Sequence, residues 1–135
     1  ADECFDKVVS VTALEFIADG REAVADLFRV TRKGGVVVVT TLNSLSPWAA
    51  RRKKAADKGH SLFERMIFRS PDEIRAIAPV EGLVKTAIHF EKDDDPKGAP
   101  EIERDGQRRS LDTGAFLAAR WEKPITKIED CKLNI

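Results

Sequence analysis

The chain has 135 residues, of which 42% are hydrophobic and 34% charged, a balance that supports one globular domain and excludes a disordered segment. Its 23 basic residues are matched by 23 acidic ones, so no global field draws it to nucleic acid or to an anionic membrane. No apolar run approaches the roughly 20 residues of a membrane span, and no signal-peptide pattern opens the sequence, so a cytoplasmic setting is expected.

Phe5-Asp6-Lys7-Val8-Val9-Ser10-Val11 is β-branched and almost continuously apolar, which predicts a short strand. Asp19 is placed to cap a helix, with Glu22 in capping-box spacing. Ala23, Val24, Leu27, Phe28 and Val30 then recur at helical intervals and define one buried stripe. Gly34-Gly35 is the expected helix stop, because glycine enters the left-handed region without steric cost. Val36-Val37-Val38-Val39-Thr40-Thr41 follows at once. A run apolar on both faces predicts an interior strand covered by helices, and strand, helix and strand in this order form a right-handed crossover.

Residues 43–47 read as a turn, and 48–58 as a helix carrying Arg51, Arg52, Lys53 and Lys54. Four consecutive charges wrap around a helix, so this run reads as a solvated face, with anion binding as the alternative. Ser70-Pro71-Asp72-Glu73 predicts another helix start, with a serine cap, proline at the first helical position and a reciprocal glutamate. Its apolar side is Ile74, Ile77 and Ala78, and Pro79 ends it. Strands are expected over 83–91, with Val84, Thr86, Ile88 and Phe90 on one face, and over 115–122. Between them lies a polar connection, 92–112, expected to be a mobile loop. Residues 125–135 form a tail without a readable pattern.

Cys4 and Cys131 lie near opposite ends of the chain. They are two free thiols in a reducing compartment, or a bridge in an oxidising one. Neither has a histidine at ligand spacing, so no metal site is expected. His60 and His89 are each a conceivable general base, but no partner residue is paired with either in the sequence.

Phe5-Asp6, Leu14-Glu15, Asp19, Arg29-Val30 and Gly34-Gly35, in this order and spacing, resemble the second half of the class I, Rossmann-like S-adenosylmethionine-dependent methyltransferase domain. Ser70-Pro71-Asp72-Glu73 is similar to the family's helix start before its sixth strand. The resemblance extends over 1–124 and implies an α/β fold: a partial Rossmann-like methyltransferase fold, with a mixed sheet of about four strands, an antiparallel last strand and flanking helices. It also implies methyl transfer from S-adenosylmethionine to a small or medium-sized acceptor by a longer protein. Ser10, Val11 and Thr12 would approach the cofactor, largely through backbone groups, at the carboxyl end of their strand, where open α/β sheets bind ligands. Glu15 would contact substrate or remain a solvated first-turn carboxylate. Asn43 would contact substrate or shape its turn. Trp48, with Phe63 and Met66, would cover the acceptor or pack its helix onto the sheet. No catalytic residue is singled out.

The glycine-rich turn and the ribose-binding acidic residue of that family have no counterpart in this sequence, whose Gly-Gly pair precedes a strand. Weak or absent cofactor binding by this chain alone is therefore expected. Its first strand, central in the family sheet, would here be an exposed edge, which predicts self-association or strand exchange. Two other functions stay open: a non-catalytic module that pairs through that edge, and another Rossmann-like ligand binder.

Overall fold

The computed structural model describes residues 1–126, arranged as a four-stranded mixed sheet with helices. Strand β1, Phe5–Val11, runs parallel to β2, Thr31–Leu42. Helix α1, Gly20–Val30, connects them. Helices α2, Pro47–Asp57, α3, Ser61–Glu64, and α4, Pro71–Ile77, lead to β3, Leu83–Ala87. Helix α5, Ala99–Arg108, precedes β4, Phe116–Glu122. The sheet order is β1-β2-β4-β3, and β4 is antiparallel to both of its neighbours.

Local chemistry explains the helix starts. The Asp19 carboxylate accepts from the Glu22 N–H at 2.9 Å, Ser46 accepts from Ala49, and Ser70 and Glu73 complete a reciprocal capping box. Pro47 and Pro71 occupy first-turn positions, where an N–H would find no helical partner.

Helices α1 and α4 cover one face of the sheet. There Val37, Val39, Leu117, Ala119 and Trp121 meet Val24, Phe28 and Ile74, all buried. The rings of Phe28 and Trp121 pack at a centroid distance of 6.0 Å, tilted by 52°. Alternation puts Val9, Val11, Val36 and Val38 on the opposite face. That face is poorly covered: Val9 and Val11 are 59% and 60% exposed. Thus β2 is interior within the sheet, as expected, but among the described residues helices bury only one of its faces.

Three expectations need correction. Helix α1 ends at Val30, where Thr31 turns extended and its hydroxyl donates to the Leu27 carbonyl. Gly34 does take a left-handed φ of +78°, but as an irregularity inside β2 and not as a helix stop. The strand expected over 83–91 closes at Ala87, because Ile88 adopts φ +64° and breaks the alternation. The 92–112 connection contains α5, so it is not an unstructured loop; Gly106 lets that helix press onto His89. Cys131 and most of the 125–135 tail lie outside the described residues. No helix among those described is long and apolar enough to cross a membrane.

Candidate functional site

The carboxyl ends of β1 and β2 form one rim. Val11 is exposed and Ser10 half-buried; Thr12 turns the chain away with φ +43°, and its N–H donates to the Thr40 carbonyl at 2.9 Å. The next residues form a short 3₁₀ turn, Leu14–Phe16.

One arginine fixes this turn. Arg69 is 7% exposed, and its guanidinium donates to the carbonyls of Leu14 at 2.7 Å, Ile17 at 2.6 Å and Ala18 at 3.3 Å. The Ile17 and Ala18 carbonyls lie between a strand and a helix, where neither ladder reaches them, while that of Leu14 also accepts from the Ile17 N–H at 3.0 Å. From the same segment, the Ile67 N–H donates to the Glu15 carbonyl at 2.7 Å.

Glu15 lies inside the rim, only 1% exposed. Thr41 Oγ1 donates to its Oε1 at 3.1 Å, whereas Oε2 is buried without a partner. The first-turn carboxylate is therefore not solvated. Asn43 is fully buried: its Nδ2 donates to the carbonyls of Asp112 and Gly114, and its Oδ1 accepts from the Leu45 N–H. Its amide ties the end of β2 to the start of β4, the turn-forming role.

Trp48 is half-buried on α2, and its indole N–H donates to the Phe90 carbonyl at 2.8 Å. The basic run divides. Arg51 pairs with Asp93 at 3.0 Å on the surface, while Arg52 lies over the Trp48 ring, 5.8 Å from its centroid. Arg52 Nη1 is buried without a hydrogen-bond partner. Burial pushes the Arg52 guanidinium below its ordinary pKa, and the charge of Glu15 opposes the shift.

Beside α2 an open cleft of about 820 Å³ is lined by Ala49, Lys53, Phe63, Met66 and Phe68 among others. Phe63 and Met66 thus border one space, and Trp48 stands outside its lining. His60 stacks on Phe63 at 4.1 Å, and His89 follows β3 at the same end of the sheet, its Nε2 3.2 Å from the Thr86 carbonyl. The structure therefore gathers Ser10, Val11, Thr12 and Glu15 at one rim with Asn43, and puts Trp48 beside it through Arg52. Sequence reasoning missed Arg69, Thr41 and Arg52. Only the Arg69 position carried a signal, a lone basic residue between Phe68 and the Ser70 cap.

Comparison with known proteins gives consistent results. A family model for a methyltransferase domain matches residues 1–39, the unit that builds this rim. No curated protein matches the chain. Among solved structures, a methyltransferase from Thermotoga maritima, a possible histamine N-methyltransferase, superposes with a TM-score of 0.69 at 20% identity. It is covered over 57% of its length by 90% of this chain. An S-adenosylmethionine-dependent methyltransferase from Archaeoglobus fulgidus gives 0.59 at 14% identity, with 90% of this chain on 61% of that one. Phosphoethanolamine N-methyltransferase 2 from Haemonchus contortus, in complex with S-adenosyl-L-methionine, gives 0.58 at 16% identity, with 92% of this chain on 34% of that one. The chain thus has a partial Rossmann-like methyltransferase fold and spans less than two thirds of each of these relatives.

Proposed function

We propose that this chain supplies one wall of a methyl-transfer site, in a protein that moves a methyl group from S-adenosylmethionine to a small-molecule acceptor. The observation that carries this reading is the family-model match over 1–39, which coincides with the rim formed by β1, the 3₁₀ turn, α1 and most of β2. The residues present fit one side of the cofactor: Ser10, Val11 and Thr12 end a parallel strand at the ligand-binding rim, with Val11 open to it. Among the described residues no glycine-rich turn joins a strand to a helix, so the chain alone binds the cofactor weakly or not at all.

The cofactor's sulfonium supplies an already activated methyl group, so the protein's task is alignment. In this reading Arg69 holds the 3₁₀ turn at a fixed height, and Glu15 offers a buried acceptor atom behind it. Asn43 acts through the rim it ties together, since its amide groups are already bound. Phe63 and Met66 give the cleft an apolar wall, and Arg52 lies over the Trp48 ring on the neighbouring helix α2. The half-exposed apolar residues of β1 support a second element of the reading, self-association or strand exchange through that edge. The same edge favours the alternative, a non-catalytic pairing module. A cytoplasmic setting suits the exposed thiol of Cys4.

Ultraviolet cross-linking of methyl-labelled S-adenosylmethionine to the chain at millimolar concentration tests this. Label recovered on the peptide containing Ser10, Val11 and Thr12 is the expected result. Label recovered only elsewhere removes the methyltransferase reading and leaves the pairing module.

A further inference from the structure

The outer edge of β3 borders a cleft, and the register of the sheet decides which backbone groups face it. The Lys123 N–H donates to the Gly35 carbonyl and the Asn43 N–H to that of Ala115, so the odd-numbered residues of β4 bond β2. Its even-numbered residues then bond β3, and Ala118 pairs with Lys85 in this way. The N–H and C=O groups of Val84 and Thr86 therefore point away from β4, off the edge of the sheet. The Thr86 carbonyl accepts from the side-chain amide of Gln107 at 3.0 Å, in the place a neighbouring strand's peptide group would take. Beside Val84 no such side chain intervenes. There a cleft of about 210 Å³ runs along residues 83–86, walled across from the strand by Pro71 and Arg75 of α4 and by Leu111.

We propose that this cleft takes an extended acidic segment of a partner protein, which adds to the free edge of β3 as a further strand. Backbone pairing at Val84 holds the segment, and side chains select it. Lys85 stands opposite Ala118 on β4, so its exposed charge has no cross-strand partner there, and it forms no ion pair among the described residues. A carboxylate opposite Lys85 on the added strand supplies that partner. Leu83, 55% exposed, lies two residues away on the same face and favours an apolar neighbour. Val84 faces the other way, toward the core and α4, where the small cleft admits only a small side chain. The complement of an antiparallel addition is thus glutamate, a small residue and valine, opposite Lys85, Val84 and Leu83 in turn. The remaining charges on the cleft do not oppose this. Arg75 is paired with Asp72 at 2.9 Å, and Asp112 follows Leu111, whose carbonyl Thr86 Oγ1 binds on the face away from Lys85. This edge lies across the sheet from β1, and the inference does not rest on the cofactor rim.

The test titrates isotope-labelled chain with acetyl-Glu-Ala-Val-amide to millimolar concentration and follows backbone amide resonances. Saturable shifts at Val84, Lys85, Thr86 and Leu111 are expected, and none on β1. Methylating the alanine nitrogen of the peptide removes the donor to the Val84 carbonyl and should weaken binding about tenfold. Methylating the glutamate nitrogen, which points away from β3, should weaken it far less. Lysine in place of glutamate should weaken binding about fivefold. Lys85→Glu, a change at an exposed position, should reverse that preference, so that the lysine peptide binds better. Equal effects of the two methylations overturn the inference, as do shifts confined to β1 or no shifts on β3. An equal response to free acetate marks a small-anion site and overturns it too. Comparison of the peptides on the unsubstituted chain keeps the test valid should the variant fail to fold. Peptide binding that persists where the cofactor cross-link fails leaves this inference standing, and the reverse result leaves the proposed function untouched.

Discussion

The guanidinium of Arg69 lies across Gly20, with its Cζ and Nη2 each 3.1 Å from the place a β-carbon on that glycine would occupy. Helix α1 begins at Gly20, so the arginine that fixes the rim also sets how closely the helix start approaches it. Arg69 cannot yield freely, because the carbonyls of Leu14 and Ile17 hold its nitrogens. Gly20→Ala should therefore destabilise the chain by about 1–3 kcal/mol, against the usual gain from replacing helical glycine. Arg69→Met, which removes three hydrogen bonds from a largely buried guanidinium to the turn carbonyls, should cost about 1–3 kcal/mol. Urea denaturation of both variants checks these values.

Lys123 closes the other end of the same helix. Its side chain is 11% exposed, and its Nζ donates to the carbonyls of Phe28 and Thr31, both at 2.7 Å. These carbonyls sit at the helix C-terminus, where a cation also suits the dipole. Lys123→Met keeps the stem and removes the charge. A loss of about 1–3 kcal/mol is expected, with faster amide exchange in the last turn of α1 as the diagnostic sign.

Acid should loosen the β3 edge of the sheet through Glu103. Burial alone would raise its carboxyl pKa, but hydrogen bonds from the Gln107 side chain and from the N–H groups of His89 and Ile88 outweigh it and lower the pKa below 4.5. A depressed folded-state pKa means that the stabilisation is present above the unfolded value and lost as pH falls through the folded one. Melting temperature should therefore fall below about pH 4.5, and fall less steeply in Glu103→Gln. Identical acid profiles for the two proteins would contradict this.

The open edge supplies a prediction about mass. Val9 projects from the open face of β1, an edge strand, and is 59% exposed. Val9→Lys puts a charge on that edge strand, the means natural sheets use against edge pairing. Light scattering should show association in the unsubstituted chain and a monomer in the variant, both with unchanged circular dichroism.

What the sequence made legible was local. Asp19, Ser70-Pro71-Asp72-Glu73 and the valine run each carry their signal within a few residues, and each lies where expected. The end of β3 was not legible, since Ile88 is a good strand residue held at φ +64° by the Glu103 carboxylate from a helix 15 residues away. The Gly34-Gly35 pair misled for a related reason: Thr31 ends the helix first, through its own hydroxyl. At the rim, Ser10, Val11 and Thr12 were readable because strand ends define it. Arg69 and Arg52 were not, because a single long side chain gives no periodic sign of turning inward. Asn43 gave the residue type of a turn former, and only its partners in the 112–114 segment show that it ties two strands together.

In the proposed function these residues form one wall of an S-adenosylmethionine site and not the whole of it. Calorimetric titration of S-adenosylhomocysteine into the purified chain, with mass read by light scattering on the same sample, tests it most directly. No binding in the micromolar range is expected from the folded chain. Micromolar binding by a monomer would contradict it, because the residues present would then hold the cofactor without a second wall.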